Sequence, residues 1–135
     1  MHVWPEPSAG DIVWCRFPDA IVARPKPRPS LIIDVQIDES DIFFVSVAFG
    51  TSQKLNRLYS GEFQINQHEN PAAFAMASLS FDTKFDLRNI LILPFDMDWF
   101  AVPPHAPHGQ NPKLGTLHPS MVRVASAAYK GATKS

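Results

Sequence analysis

Thirteen of the 135 residues are proline. Each proline fixes one φ angle, withholds one amide donor and pushes the residue before it out of the helical region. Spread along the chain, they cut it into short pieces and leave little room for long helices. The architecture to expect is therefore one of short strands and turns. One cluster, KPRPS at 26 to 30, opens directly into the apolar run LII. There Pro27 and Pro29 hold Arg28 extended at the mouth of a strand, with less backbone entropy left to lose on folding.

Alternating apolar residues mark the strands. GDIVWCRF (10 to 17) reads as the first, with Ile12, Trp14 and Arg16 facing one way and Val13, Cys15 and Phe17 the other. SLIIDVQI (30 to 37) is the second, DESD a tight turn, and IFFVSVAFG (42 to 50) a third, antiparallel to the second. A fourth is expected around Glu62 to Ile65, and SLSFDTKF with LRNILILP supply two more or one long bent strand. ENPAAFAMA (69 to 77) predicts a short helix, with Asn70 as its cap and Pro71 in its first position. Residues 94 to 117 carry few strand signals and read as a long irregular insertion. HPSMVRVASAAYKG predicts a terminal helix: Pro119 opens it, Met121, Val124, Ala125 and Ala128 line one face, and Lys130 with Gly131 close it. The fold class expected is mainly β: a small, strongly bent antiparallel barrel with a short helix and a C-terminal helix. Residues 1 to 135 are expected to form a single domain, frayed at 1 to 9 and 131 to 135.

With 45% hydrophobic and 19% charged residues, the composition is that of a globular protein. A net charge of −1 gives no overall pull toward nucleic acid. The basic residues are nonetheless clustered, as Arg24, Lys26 and Arg28 and again as Lys54 and Arg57, while acids gather in DVQIDESD at 34 to 41. No apolar run reaches the ~18 residues of a membrane span, and the N-terminus lacks a basic region followed by an apolar one, so a soluble, cytoplasmic protein is expected. Cys15 is the single cysteine, which excludes an internal disulfide, and its strand position points to the core rather than to a nucleophile. His105, His108 and His118 lack the cysteine pair or helical spacing of a zinc site. Asp96 and Asp98 are better suited to a loop turn than to a cation, and Trp99 and Phe100 to anchoring that loop. No metal or cofactor is expected.

Two positions carry candidate chemistry. The planar, permanently charged fork of Arg28 suits phosphate oxygens. Thr51, followed by Ser52 and Gln53, lies where the third strand leaves the sheet, and hydroxyls and amides there can hold a phosphate or a base edge. The alternatives are a solvated loop arginine and a threonine bonding its own turn.

The ordered set GDIVWCRFP, an arginine-proline pair leading into SLII, and VAFGTSQK resembles the MazF/PemK toxins of bacterial toxin–antitoxin pairs. The resemblance covers residues 10 to 53, weakens from 54 to 93, and returns in the terminal helix. It implies an SH3-like barrel, usually homodimeric, and a metal-independent endoribonuclease that cuts single-stranded RNA at short sequences. A cognate antitoxin would lay a segment over the RNA groove. The family's arginine maps to Arg28 and its catalytic threonine to Thr51. Ser52, Gln53, Lys26 and Lys54 would assist substrate binding. The family's glutamate before the arginine-proline pair has no counterpart in DAIVARPKP, which offers only Asp19 nearby. Some members carry an Arg-x-Asp pair on a later strand. Lys84 and Asp86 have that spacing, one residue out of register, so Asp86 is the candidate base and Lys84 a phosphate contact, provided that a bulge absorbs the slip. Two further readings stay open: the same barrel as a nucleic-acid- or protein-binding module that does not cut, and a scaffold that binds protein alone.

Overall fold

The computed structural model describes residues 4 to 17 and 26 to 133. Among these residues the sheet has six strands: β1 (Asp11–Cys15), β2 (Arg28–Ile37), β3 (Phe43–Thr51), β4 (Glu62–Ile65), β5 (Thr83–Pro94) and β6 (Lys113–Thr116). They pair antiparallel in the order β4-β5-β3-β2-β1-β6 and curl into half a barrel. The helices are α1 (Pro71–Met76) and α2 (Val122–Thr133), the latter preceded by a 3-10 turn at Pro119–Met121.

The expected period of two decides which side of the sheet each residue takes. Ile12 packs into one core with Leu31, Ala48, Phe63 and Phe85, which α2 covers through Ala125 and Ala128. Val13 and Cys15 enter a second core with Val45, Val47 and Phe100. The β2–β3 turn is held by Asp38, whose Oδ1 accepts from the amides of Ser40 (2.8 Å) and Ile42 (2.9 Å).

SLSFDTKF and LRNILILP resolve into one long strand, β5, with a bulge. Ala48 pairs with Ile90 but Phe49 with Asp86, so residues 87 to 89 have no partner on β3. Leu87 instead donates its amide to the Gly61 carbonyl at 2.8 Å, beside β4. The bulge bends the strand and changes its facing parity.

Several expectations are corrected. Asn70 does not cap α1 with its side chain; its Oδ1 accepts from the Asn66 amide at 3.0 Å and closes the turn that feeds the helix. Pro71 does take the first helical position. Strand β2 begins at Arg28 rather than Ser30, and β6 lies within the segment expected to be irregular. Residues 4 to 9 are partly packed: Trp4 is buried and meets the edge of Phe95, with ring centroids 5.3 Å apart. Met121 of the 3-10 turn and Ala125 and Ala128 of α2 are buried, but Val124 is 45% exposed.

Gly131 does not end α2, which continues to Thr133. A methyl group at Gly131 would collide with the Ser60 carbonyl oxygen, so glycine is needed there for the helix to approach the turn before β4. In an exposed helix, Gly→Ala stabilises by ~1 kcal/mol. Here Gly131→Ala is expected to reverse that sign and destabilise by ~1–3 kcal/mol through overpacking. Urea denaturation checks this as a lower midpoint at unchanged slope.

Candidate functional site

Strands β2 and β3 bring the two candidate residues together. Ser30 lies opposite Phe49. Arg28, the first residue of β2, and Thr51, the last of β3, lie two residues beyond that pair at the neighbouring strand ends. Between them Pro29 meets Gly50, where a side-chain carbon would collide with the Pro29 carbonyl oxygen. The close approach of the two backbones therefore depends on glycine, and it draws the two strand ends together.

Both side chains line one cleft of ≈ 350 Å³, within the ~300–1,000 Å³ range of small-ligand sites. Arg28 is exposed and makes no ion pair with any described residue. The Thr51 Oγ1 accepts from the Gln53 amide at 3.2 Å, the local turn bond that its position allows. That bond uses an oxygen lone pair and leaves the hydroxyl hydrogen to donate. Ser52 lines the same cleft, whereas Lys26, Gln53 and Lys54 are exposed outside its lining.

Lys84 and Asp86, the proposed later-strand pair, do not line the cleft. Lys84 is buried, its Nζ donating to the Arg57 carbonyl at 2.8 Å and lying 3.2 Å from the Glu62 Oε2. Its charge is spent inside the protein, so it is not placed as a phosphate contact. Asp86 accepts both arms of the Arg88 fork, at 2.9 Å and 3.2 Å. That pairing also raises the Arg88 pKa above its usual value. The anticipated bulge exists, but it leaves Asp86 opposite Phe49 and Lys84 opposite Thr51.

The residue missed in the sequence is His105. It is exposed and lines the cleft together with Pro103, Pro104 and Pro107. Trp14 explains its placement. The Trp14 amide donates to the Pro112 carbonyl at 2.9 Å, and the Trp14 carbonyl accepts from the Ala101 amide at 3.0 Å. Residues 102 to 111 therefore leave and return at one residue, Trp14, which is itself among the residues lining the cleft. Within the loop a turn closes from the Ala106 amide to the Pro103 carbonyl at 3.0 Å, with His105 inside it. No periodicity in the sequence signals this placement; only the proline brackets around His105, resembling those around Arg28, point to a held side chain.

Phe81, 70% exposed, also lines the cleft. Its carbonyl accepts from the Thr83 hydroxyl at 2.8 Å, which holds the loop ahead of β5.

The other candidates take structural roles. Burial pushes the Cys15 thiol up to about 12, with Ser30 and Arg16 offsetting part of the effect, so it is protonated and unreactive at neutral pH. His118 accepts the Ser120 amide at the 3-10 turn, and Asp96 accepts the Asp98 amide in its own loop. Among the described residues, no three His, Cys, Asp or Glu side chains gather as a metal site. No helix among them is long and apolar enough to cross a membrane.

Removing Lys84 would leave the Glu62 carboxylate, only 4% exposed, with the half-exposed Arg88 at 3.5 Å as its remaining described cation. Breaking a buried pair from one side costs ~3–5 kcal/mol. Lys84→Ala is accordingly expected to lower the melting temperature sharply, whereas loss of RNA affinity in a fully stable variant would restore Lys84 as a substrate contact.

No protein-family model matches this chain, and no curated protein matches it.

Proposed function

We propose that the protein is a metal-independent endoribonuclease that cleaves single-stranded RNA, acting as the toxin of a toxin–antitoxin pair of the MazF/PemK kind. On this reading the half-barrel is an SH3-like toxin fold, the working unit is a homodimer, and a small antitoxin covers the RNA-binding face. The observation that carries the proposal is the meeting of Arg28 and Thr51 at one cleft, from the ends of two neighbouring strands.

RNA brings its own nucleophile, the 2′-hydroxyl. The protein must orient it, stabilise the phosphorane and help protons to move. The Arg28 fork can hold two phosphate oxygens as their charge grows, in a cleft that needs no rearrangement to present it. The Thr51 hydroxyl can donate to a phosphate oxygen or orient the attacking 2′-oxygen. Phe81 adds an argument for single strands: an exposed ring at a cleft rim can stack an unpaired base, which a duplex keeps inside its own stack.

The engagement of Asp86 by Arg88 and of Lys84 by Glu62 favours a second reading, a module that binds RNA without cutting it. Incubation with long single-stranded RNA in EDTA separates the two. Fragments ending in 2′,3′-cyclic phosphate support the nuclease; salt-sensitive binding without fragments supports the module.

Under the nuclease reading, Arg28→Ala is expected to lower kcat ~100- to 1,000-fold, the range for loss of one charge-stabilising donor. Its melting temperature should barely move, since the side chain is exposed. Arg28→Lys should recover only part of the rate, because an ammonium lacks the fork. Equal cleavage by wild type and Arg28→Ala would sink the proposal.

Phe81→Ala is expected to weaken binding of an uncleavable 2′-O-methyl oligonucleotide by ~1–3 kcal/mol, the value of one base stack. Phe81→Trp should retain binding. Fluorescence anisotropy reads both, and unchanged affinity in Phe81→Ala removes the stacking argument.

A further inference from the structure

We infer that His105 is the general base of this cleft, an assignment that rests on the nuclease reading above. Transesterification needs a group that accepts the 2′-hydroxyl proton. Among the described side chains lining the cleft there is no carboxylate. Arg28 stays protonated, and the hydroxyls of Thr51 and Ser52 are feeble bases near neutrality. Among the described residues lining the cleft, His105 is the one whose side-chain type takes up a proton in that range. The carboxylate that the sequence nominates for this work, Asp86, lies outside the cleft and is clamped by Arg88.

Position supports chemistry. Pro104 precedes His105 and limits the backbone of the turn, which the Ala106-to-Pro103 hydrogen bond of 3.0 Å closes. Ala106 itself adopts φ 41, an uncommon conformation for a residue with a side chain, which turns the chain sharply after the histidine. Both ends of the loop are tied to Trp14. The segment 102 to 111 thus holds His105 among the residues that line the same cavity as Arg28 and Thr51.

In the step, a neutral imidazole nitrogen takes the 2′-hydroxyl proton while the 2′-oxygen forms its bond to phosphorus. The bond from phosphorus to the 5′-oxygen breaks, and that oxygen takes a proton from water. The products are a 2′,3′-cyclic phosphate and a 5′-hydroxyl end. The imidazolium returns its proton to solvent, and nothing is oxidised or reduced.

The test compares wild type, His105→Ala and His105→Gln on a single-stranded oligonucleotide in EDTA. His105→Ala is expected to lose ~100- to 10,000-fold in kcat, the range of general-base catalysis, with KM and melting temperature unchanged. The acidic limb of the wild-type pH profile should vanish in the variant, and added imidazole should restore part of its rate, which a purely structural role would not allow. His105→Gln, which keeps a polar side chain but no base, should be as slow as His105→Ala. A substrate with sulfur at the bridging 5′ position needs no proton on its leaving group. His105→Ala should stay slow on it, and recovery to the wild-type rate there would overturn the assignment by making His105 the acid. Cleavage by wild type with an unchanged rate and pH profile in His105→Ala overturns the assignment and leaves the nuclease reading intact. Absence of cleavage by wild type overturns both.

Discussion

The edge of β1 is the constraint on which the rest of the structure depends. Residues Ile12 to Cys15 pair with β2 along one side, and the strand must serve two separate segments along the other. Asp11 to Val13 take β6, with a register shift after Ile12. From Trp14 onward the partner changes to residues 99 to 101: the Ala101 amide reaches the Trp14 carbonyl at 3.0 Å, and the Arg16 amide reaches the Trp99 carbonyl at 2.6 Å. An open strand edge has unpaired donors and acceptors that must find partners. This one is closed by two stretches that are distant in sequence from β1, and the loop between those stretches has nowhere to go but past Trp14. A proline-rich insertion with little internal structure of its own acquires a defined path in this way. Phe100, 1% exposed, fixes the path further by filling the second core.

The same economy governs the opposite end of the sheet. β4 is four residues long and pairs only with β5. It carries Glu62, whose Oε1 accepts from the Tyr59 amide at 2.9 Å and whose Oε2 faces Lys84 at 3.2 Å and Arg88 at 3.5 Å. Arg88 also lies over the Tyr59 ring, 4.7 Å from its centroid. A buried carboxylate is tolerable only when its oxygens are satisfied. Here the satisfying groups come from the turn before β4 and from β5, so the acid draws three pieces of chain together. That explains why two polar residues of β5 with the spacing of a catalytic pair serve the fold instead: one is consumed by Glu62, the other by its neighbour Arg88.

Much of this was legible from the sequence, and the divide between what was and what was not is a physical one. Strands β1 to β5 and α2 announce themselves through periodicity, because their burial repeats every two or about four residues. The tight turn makes β2 and β3 antiparallel neighbours and so brings their far ends close, but the exact facing was hidden, because the register shifts between Ile32 and Asp34. β6 was hidden because KLGT has too few apolar residues to alternate, and it is a strand only because β1 offers an edge. The occupation of Lys84 was hidden because its partner lies 22 residues away, and charge pairing across that distance leaves no local pattern. His105 was hidden for the same reason: its place depends on two backbone bonds to Trp14, both made by residues far from position 14. Gly131 misled because glycine near a helix end commonly marks its stop, and here it marks a contact with Ser60.

Arg28 and Lys84 set out the remaining question in terms of two cations. Lys84 is buried, bonded to a carbonyl and a carboxylate, and its presence is accounted for by the stability of the fold. Arg28 is not: it is exposed, makes no ion pair with a described residue, and contributes no packing to either core. Yet the chain restricts its backbone with a proline on each side and places glycine at residue 50 so that the strand beside it can come close. The two prolines favour folding by restricting the unfolded chain, and they also hold the backbone of the exposed guanidinium extended. Preorganisation lowers the entropy lost when an anion arrives from outside. A hydroxyl on the facing strand end and an imidazole on the pinned loop line the same cleft, and their types match the remaining needs of a phosphodiester: a hydrogen-bond donor and an acceptor for a proton. The stability of the fold accounts for the buried cation; the exposed one lines a cleft and pairs with no described acid.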